Sequence, residues 1–201
     1  MYRILIADDE GLMLEAFKGV ILAEFGDKCS VETAKTGRAV IEKAETFHPD
    51  IVFMDICMPE MDGLAMIAAI HSQFPDLEVC VLTGYRDFEY AKEAIRLGVT
   101  RFLLKPSNMD ELEEAIGKMC GNLKRKGITG DEPKRDPQDG EAPEEHKESA
   151  SSSFIVKNAL TYIEENYTKK LTLCEVAEKT YVSQWHLSKL LNRHTGQSFS
   201  D

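Results

Sequence analysis

Five times along its first 126 residues the chain passes from a short apolar run into a longer amphipathic stretch, and no other feature narrows its fold as much. The apolar runs are residues 4–7, 30–34, 51–54, 79–82 and 101–104, each of strand length. The stretches between and after them repeat apolar residues at helical spacing. They cover 12–25 (Leu12, Ala16, Val20, Ala23), 38–47 (Val40, Ile41, Ala44, Phe47) and 64–74 (Ile67, Ala68, Ile70). They continue over 88–97 (Ala91, Ala94, Ile95, Leu97) and 109–123 (Leu112, Ala115, Ile116, Met119). Strict strand–helix alternation predicts an α/β fold, a doubly wound parallel sheet of (βα)5 type with helices on both faces. Strands one, three, four and five are almost wholly apolar, as strands covered on both faces must be.

After residue 126 the character of the chain changes. Residues 127–153 are rich in Gly, Pro, Glu, Asp and Ser, with three positive and eight negative side chains. Such a segment buries too little apolar surface to offset ordering entropy, so it is predicted to be a flexible acidic linker. Helical patterning resumes at Phe154 and defines a third region, 154–201. Net charge divides unevenly: −7 over 1–126, −5 over 127–153 and +1 over 154–201. The first 126 residues would repel nucleic-acid phosphates, so any DNA contact belongs to the tail.

No apolar run is long enough to span a bilayer. The opening Met1-Tyr2-Arg3-Ile4-Leu5-Ile6-Ala7 is too short in apolar residues for a secretory signal, and acidic residues follow at once. A cytoplasmic protein without a membrane partner is expected. Cys29, Cys57, Cys80, Cys120 and Cys174 form no Cys-x-x-Cys pair and no zinc-type cluster, so buried, reduced thiols are expected.

Chemistry concentrates at the strand exits. Asp8 and Asp9 follow strand one, Asp55 follows strand three, Thr83 follows strand four and Lys105 follows strand five. Ligands of open parallel sheets bind beyond the carboxyl ends of the strands, where the strand order reverses. In the common order 2-1-3-4-5, strands one and three are neighbours there, and the three aspartates converge. Packed carboxylates repel unless a cation sits among them, and an all-oxygen set suits Mg2+. A central ionised carboxylate can attack phosphorus, while an ammonium and a hydroxyl steady the phosphoryl oxygens. Each residue alone has a plainer use: Asp8-Asp9-Glu10 as a helix start, Thr83-Gly84 as a turn, Lys105-Pro106 as a strand exit. Their joint occurrence, in order within one (βα)5 unit, favours phosphoryl transfer to Asp55.

In the tail, Ile155, Ala159, Leu160 and Ile163 form one apolar helix face. Thr172 and Glu175 have capping-box spacing and open a helix containing Val176 and Ala177. Ser183 is an N-cap for a further helix with Leu187, Leu190 and Leu191 inward, ending at Thr195-Gly196. Two short helices joined at Thr180-Tyr181-Val182 fit either a helix-turn-helix or a small three-helix unit with a solvated polar face.

The segments ILIADDE (4–10), FMDICMPEMDGL (53–64), LTGY (82–85) and FLLKP (102–106) closely resemble the receiver domains of two-component response regulators. That resemblance implies the CheY-like, flavodoxin-like order 2-1-3-4-5 and assigns roles. Asp55 is the phosphoacceptor. Asp9, Asp55 and the Cys57 backbone carbonyl bind Mg2+, with Asp8 acting through water. Thr83 and Lys105 contact the phosphoryl group, and Thr83 and Phe102 form the switch. Lys105-Pro106 is expected to be a cis peptide. Phe102 lacks the hydroxyl that tyrosine carries at that position, so a switch there rests on ring packing, and a plain core aromatic is the alternative. Cys57 stands where other side chains are frequent, beside the phosphoryl site. The family implies a partner histidine kinase and phosphorylation-dependent homodimers.

The run LCEVA (173–177) and VSQWHLSKLLNRHTG (182–196) resembles the first half of an AraC-type DNA-binding domain, which favours the helix-turn-helix. By position, Gln184, Trp185, Ser188 and Lys189 would face bases. The second helix-turn-helix of that family does not follow, so weak DNA binding by a monomer is expected, with dimerisation restoring affinity. The sequence therefore predicts a phosphorylation-switched transcription regulator and not a turnover enzyme. The alternative is a phospho-receiver adaptor acting through protein contacts. A phosphohydrolase of the haloacid-dehalogenase type needs a second Asp two residues after a strand-one nucleophile, and Asp8-Asp9-Glu10-Gly11 lacks it.

Overall fold

A computed structural model describes residues 1–58, 62–84, 88–105, 107, 109–128, 149–167, 171–197 and 199. Five strands form the sheet: β1 (Tyr2–Ala7), β2 (Cys29–Ala34), β3 (Ile51–Met54), β4 (Glu78–Thr83) and β5 (Arg101–Leu104). They run parallel in the order β2-β1-β3-β4-β5, as expected from the sequence. The helices of this unit are α1 (Gly11–Phe25), α2 (Gly37–Phe47), α3 (Gly63–Gln73), α4 (Phe88–Arg96) and α5 (Met109–Arg125).

Alternation along the strands builds two cores. Ile4 and Ile6 of β1, Ile51 and Phe53 of β3, and Cys80 and Leu82 of β4 face one way. There they pack on Leu14 and Ile21 of α1 and on Leu112, Ala115, Ile116 and Met119 of α5. Leu5, Ala7, Val52, Met54, Val79 and Val81 face the other way, toward α2, α3 and α4. Local chemistry sets the helix starts. The Thr36 hydroxyl accepts from the Ala39 N–H at 3.3 Å, and the Asp62 carboxylate accepts from the Leu64 and Ala65 N–H groups.

Three sequence expectations about side chains are corrected. In α1 the inward residues are Leu14 and Ile21, whereas Leu12 is 86% exposed and Val20 is also exposed. This helix carries apolar residues around its whole circumference, so periodicity could not single out the buried face. Ile95 of α4 and Leu160 in the tail likewise point outward, and Ala94 and Val156 fill the buried positions. The thiols are free, and Cys29 and Cys80 are buried, but Cys57 and Cys174 are exposed because a loop and the first turn of a helix carry them.

The tail holds α6 (Ala150–Asn166), α7 (Leu173–Lys179) and α8 (Gln184–Thr195). Helix α6 starts before Phe154 because the Ser149 hydroxyl accepts from the Ser152 N–H at 3.1 Å. The capping box forms as read from the sequence: the Glu175 N–H donates to the Thr172 hydroxyl, and the Thr172 N–H donates to the Glu175 carboxylate. Ser183 caps α8, and Gly196 ends it at φ +70°, a conformation that costs glycine little. Most of the predicted linker, 129–148, lies outside the described residues, as does Pro106. The tail packs α6 onto α3, so helices form a third layer over that face of the sheet. No helix among the described residues is long and apolar enough to cross a membrane.

Candidate functional site

Strand register levels the carboxyl edge of the sheet. Ala7 pairs with Met54 and Thr83 with Leu104, so Asp8, Asp55 and Lys105 leave the sheet side by side. Backbone bonds continue past the strand ends: the Asp55 N–H donates to the Ala7 carbonyl at 2.8 Å, and the Lys105 N–H to the Thr83 carbonyl at 2.8 Å. These bonds fix where each functional side chain begins.

One oxygen from each of Asp8, Asp9 and Asp55 lies within 4.8 Å of the others, with Asp8 and Asp55 buried and Asp9 exposed. The Lys105 ammonium donates to Asp55 Oδ2 at 2.6 Å and also to Asp8. The other oxygens are held by the backbone. The Cys57 N–H donates to Asp55 Oδ1 at 2.9 Å, and the Glu10 N–H donates to Asp8 Oδ1 at 2.9 Å. Thr83 is fully buried beside them, its hydroxyl 3.5 Å from Cys57 Sγ. Burial alone would lower the Lys105 pKa. The hydrogen bonds and charges of Asp55 and Asp8 outweigh it and raise the pKa, so the ammonium stays charged.

Three carboxylates around one ammonium still leave an excess of negative charge. A small divalent cation held by oxygen ligands relieves that excess, and the donor set fits Mg2+. The structure thus brings together Asp8, Asp9, Asp55, Cys57, Thr83 and Lys105, all singled out from the sequence. Phe102 is half-buried and packs against the α2–α3–α4 side of the core.

In the tail, Gln184, Trp185 and Lys189 are exposed and Ser188 is half-buried. The Lys189 ammonium sits 5.0 Å from the centre of the Trp185 ring, and Trp185 is 71% exposed. Sequence reasoning missed the contacts on the neighbouring side of the same helix. Ser72 Oγ and His186 Nε2 are 2.7 Å apart, and the Gln73 side-chain amide donates to the Tyr181 carbonyl at 3.5 Å. A signal was present: Ala65, Ala68 and Ala69 make α3 apolar beyond its sheet-facing side, the mark of a helix covered twice.

A doubly wound parallel sheet that gathers carboxylates, a lysine and a threonine beyond the carboxyl ends of its strands defines the class of flavodoxin-like α/β domains, which bind ligands at that edge. Residues 4–117 match the response regulator receiver domain, and the chain belongs to that family. Over 128 residues it is 38% identical to the uncharacterized transcriptional regulatory protein YesN of Bacillus subtilis strain 168, which spans 64% of this chain and 35% of that protein. It is 27% identical over 203 residues to the transcriptional regulatory protein HptR of Staphylococcus aureus strain N315, covering 100% of this chain and 78% of HptR. Among solved structures, the REC domain of AraT, a response regulator from Geobacillus stearothermophilus, is 35% identical. It covers 63% of this chain and 98% of that one, with a TM-score of 0.56.

Proposed function

We propose that the chain is the phosphorylation-switched part of a transcription regulator, with Asp55 accepting a phosphoryl group from a histidine of a partner kinase. The observation that carries this reading is the Asp55 carboxylate pinned between the Lys105 ammonium and the Cys57 N–H, beside Asp8 and Asp9. A carboxylate oxygen of Asp55 attacks phosphorus, the phosphorus–nitrogen bond to the donor imidazole breaks, and the imidazole keeps its electron pair. Asp8, Asp9, Asp55 and the Cys57 carbonyl would hold Mg2+, which offsets charge on the phosphoryl oxygens. Lys105 supplies a further positive charge, and the Thr83 hydroxyl donates a hydrogen bond to a phosphoryl oxygen. Thr83 and Phe102 then register the change as the switch. The domain arrangement is a receiver over 1–126, a linker that ends at Ser149, the N-cap of α6, and a DNA-binding tail that begins with α6 at Ala150. The protein accepts a group and does not turn over substrate.

The tail reads DNA through Gln184, Trp185, Ser188 and Lys189, with α8 in the major groove and dimerisation of phosphorylated chains doubling the footprint. Exposure of Gln184, Trp185 and Lys189 supports this reading, as do the regulatory names of the relatives. Acetyl phosphate with Mg2+ tests the acceptor: the wild-type chain gains one phosphoryl group and Asp55→Ala gains none. Label surviving that substitution refutes the assignment. Salt-sensitive, sequence-selective binding by the labelled chain separates a DNA regulator from an adaptor that works through protein contacts alone.

A further inference from the structure

A cleft of about 340 Å3 lies between α2 of the receiver and the turn that joins α7 to α8. Small-molecule sites favour cavities of this size at the seam between two packed units. Helix α2 supplies Arg38, Ile41 and Glu45, spaced at i, i+3 and i+7 and so on one helix face. The tail supplies Ala177 and Glu178 near the end of α7, followed by Tyr181 and Val182.

The walls are apolar and the charges stand at the rim. Ala177 and Val182 are buried and Ile41 is half-buried, whereas Arg38, Glu45 and Glu178 are exposed. None of these three charged side chains has an ion pair or hydrogen bond among the described residues. Arg38 and Glu45 stand about 10.5 Å apart along the axis of α2, too far to neutralise each other. A simple anion would be drawn to Arg38 and repelled by two carboxylates, and a simple cation would meet the reverse. The pattern suits a molecule that carries both charges.

Tyr181 fixes the tail side of the cleft. Its backbone sits at φ +56°, in the left-handed region that is costly for a bulky side chain. A backbone hydrogen bond from Asp62 anchors its hydroxyl, and its carbonyl accepts from the Gln73 side-chain amide at 3.5 Å. Strained backbone held in place by its surroundings recurs at ligand clamps. A wall already ordered loses little freedom when a ligand arrives.

We propose that this cleft binds a short apolar zwitterion of tripeptide size. Arg38 takes its carboxylate, and Glu45 takes its ammonium with Glu178 adding negative potential. Its apolar body lies against Ile41, Ala177 and Val182. An extended chain spans about 3.3–3.6 Å per residue, so three residues match the distance from Arg38 to Glu45. Such a ligand touches α2 and the tail at once, and it stabilises the folded chain by mass action. The site depends neither on phosphoryl acceptance nor on DNA binding.

The test titrates the full chain with alanyl-leucyl-alanine by calorimetry. A saturable one-to-one isotherm with Kd below about 1 mM is expected. N-acetylation or C-amidation of the peptide should weaken binding by about tenfold, the effect of losing one charged hydrogen bond. Arg38→Ala and Glu45→Gln should each weaken it by a similar factor. Both positions are exposed, and unchanged circular dichroism and urea midpoints would show that the variants fold. Glu42→Gln, on the same helix outside the cleft, should bind as wild type does. No saturable heat with the wild-type chain overturns the proposal. Equal binding of a peptide blocked at both ends removes the zwitterion, and wild-type affinity in both cleft variants places the peptide elsewhere; either result overturns the assignment.

Discussion

Lys105 Nζ lies 2.6 Å from Asp55 Oδ2 across 50 residues of sequence, and the same ammonium bonds Asp8. One cation therefore holds two buried carboxylates from two strands. Lys105→Ala leaves those charges facing each other with only the backbone N–H groups of Cys57 and Glu10 bonded to them. Removing one partner of a buried ion pair in this way costs about 3–5 kcal/mol. Without Mg2+ the variant should unfold at lower urea than wild type. Added Mg2+ should stabilise the variant more than the wild type, because the cation then meets an uncompensated cluster. Equal Mg2+ stabilisation of the two chains would remove the cation from the aspartate cluster.

Gly63 has no room for a side chain, since its Cβ would fall inside contact distance of the Ile56 backbone. The obstruction is main chain next to the acceptor and cannot swing aside. Gly63→Ala should destabilise the chain by about 1–3 kcal/mol, the usual cost of overpacking. It should also slow acetyl phosphate labelling, because Ile56 must move away from Asp55. Urea melts and a labelling time course measure the two effects. Wild-type behaviour in both would show that the contact at Ile56 is loose.

The two sides of α1 should answer differently to truncation. Leu14 is 1% exposed and Leu12 is 86% exposed. Leu14→Ala creates a core cavity and should cost about 3–5 kcal/mol, whereas Leu12→Ala should change stability by about 0.5 kcal/mol or less. Urea unfolding of both variants checks the contrast. The reverse ranking would restore the helix face that the periodicity of Leu12, Ala16 and Val20 suggested.

The site was legible because each of its residues is tied to a strand exit. Asp8, Asp55, Thr83 and Lys105 each end an apolar run, and the parallel order does the gathering. The α1 face was not legible, because Leu12, Leu14, Val20 and Ile21 are equally apolar and only the tilt on the sheet chooses between them. The docking of α6 on α3 was hidden for a different reason. Ala65, Ala68 and Ala69 mark α3 as covered on a second side but do not say by what, and the bond from Ser72 to His186 spans 114 residues. Pairings of that separation are decided by packing rather than by local pattern. The partners of Glu78 were hidden in the same way: it is buried and takes hydrogen bonds from Thr100 at 2.6 Å and Asn122 at 2.8 Å.

His71, near the end of α3, gives the chain a specific acid sensitivity. Its Nε2 is buried without a hydrogen-bond partner among the described residues. Burial pushes the ring pKa down to about 4, the nearby Lys126 charge adds to this, and Glu78 opposes it only in part. The folded chain thus keeps His71 neutral while the unfolded chain binds a proton near pH 6.5. A folded pKa below the unfolded one means that the contribution is fully present above about pH 6.5 and is lost as pH falls toward 4. The loss should reach about 1.4 kcal/mol by pH 5.5 and about 3 kcal/mol at pH 4. Urea midpoints between pH 7.5 and 4.5 should fall more steeply for wild type than for His71→Leu, which has no proton to take up. Carboxylates titrate in both chains, so the difference between the two curves isolates the histidine. Parallel curves would mean that the ring is solvated and protonates freely in the folded state.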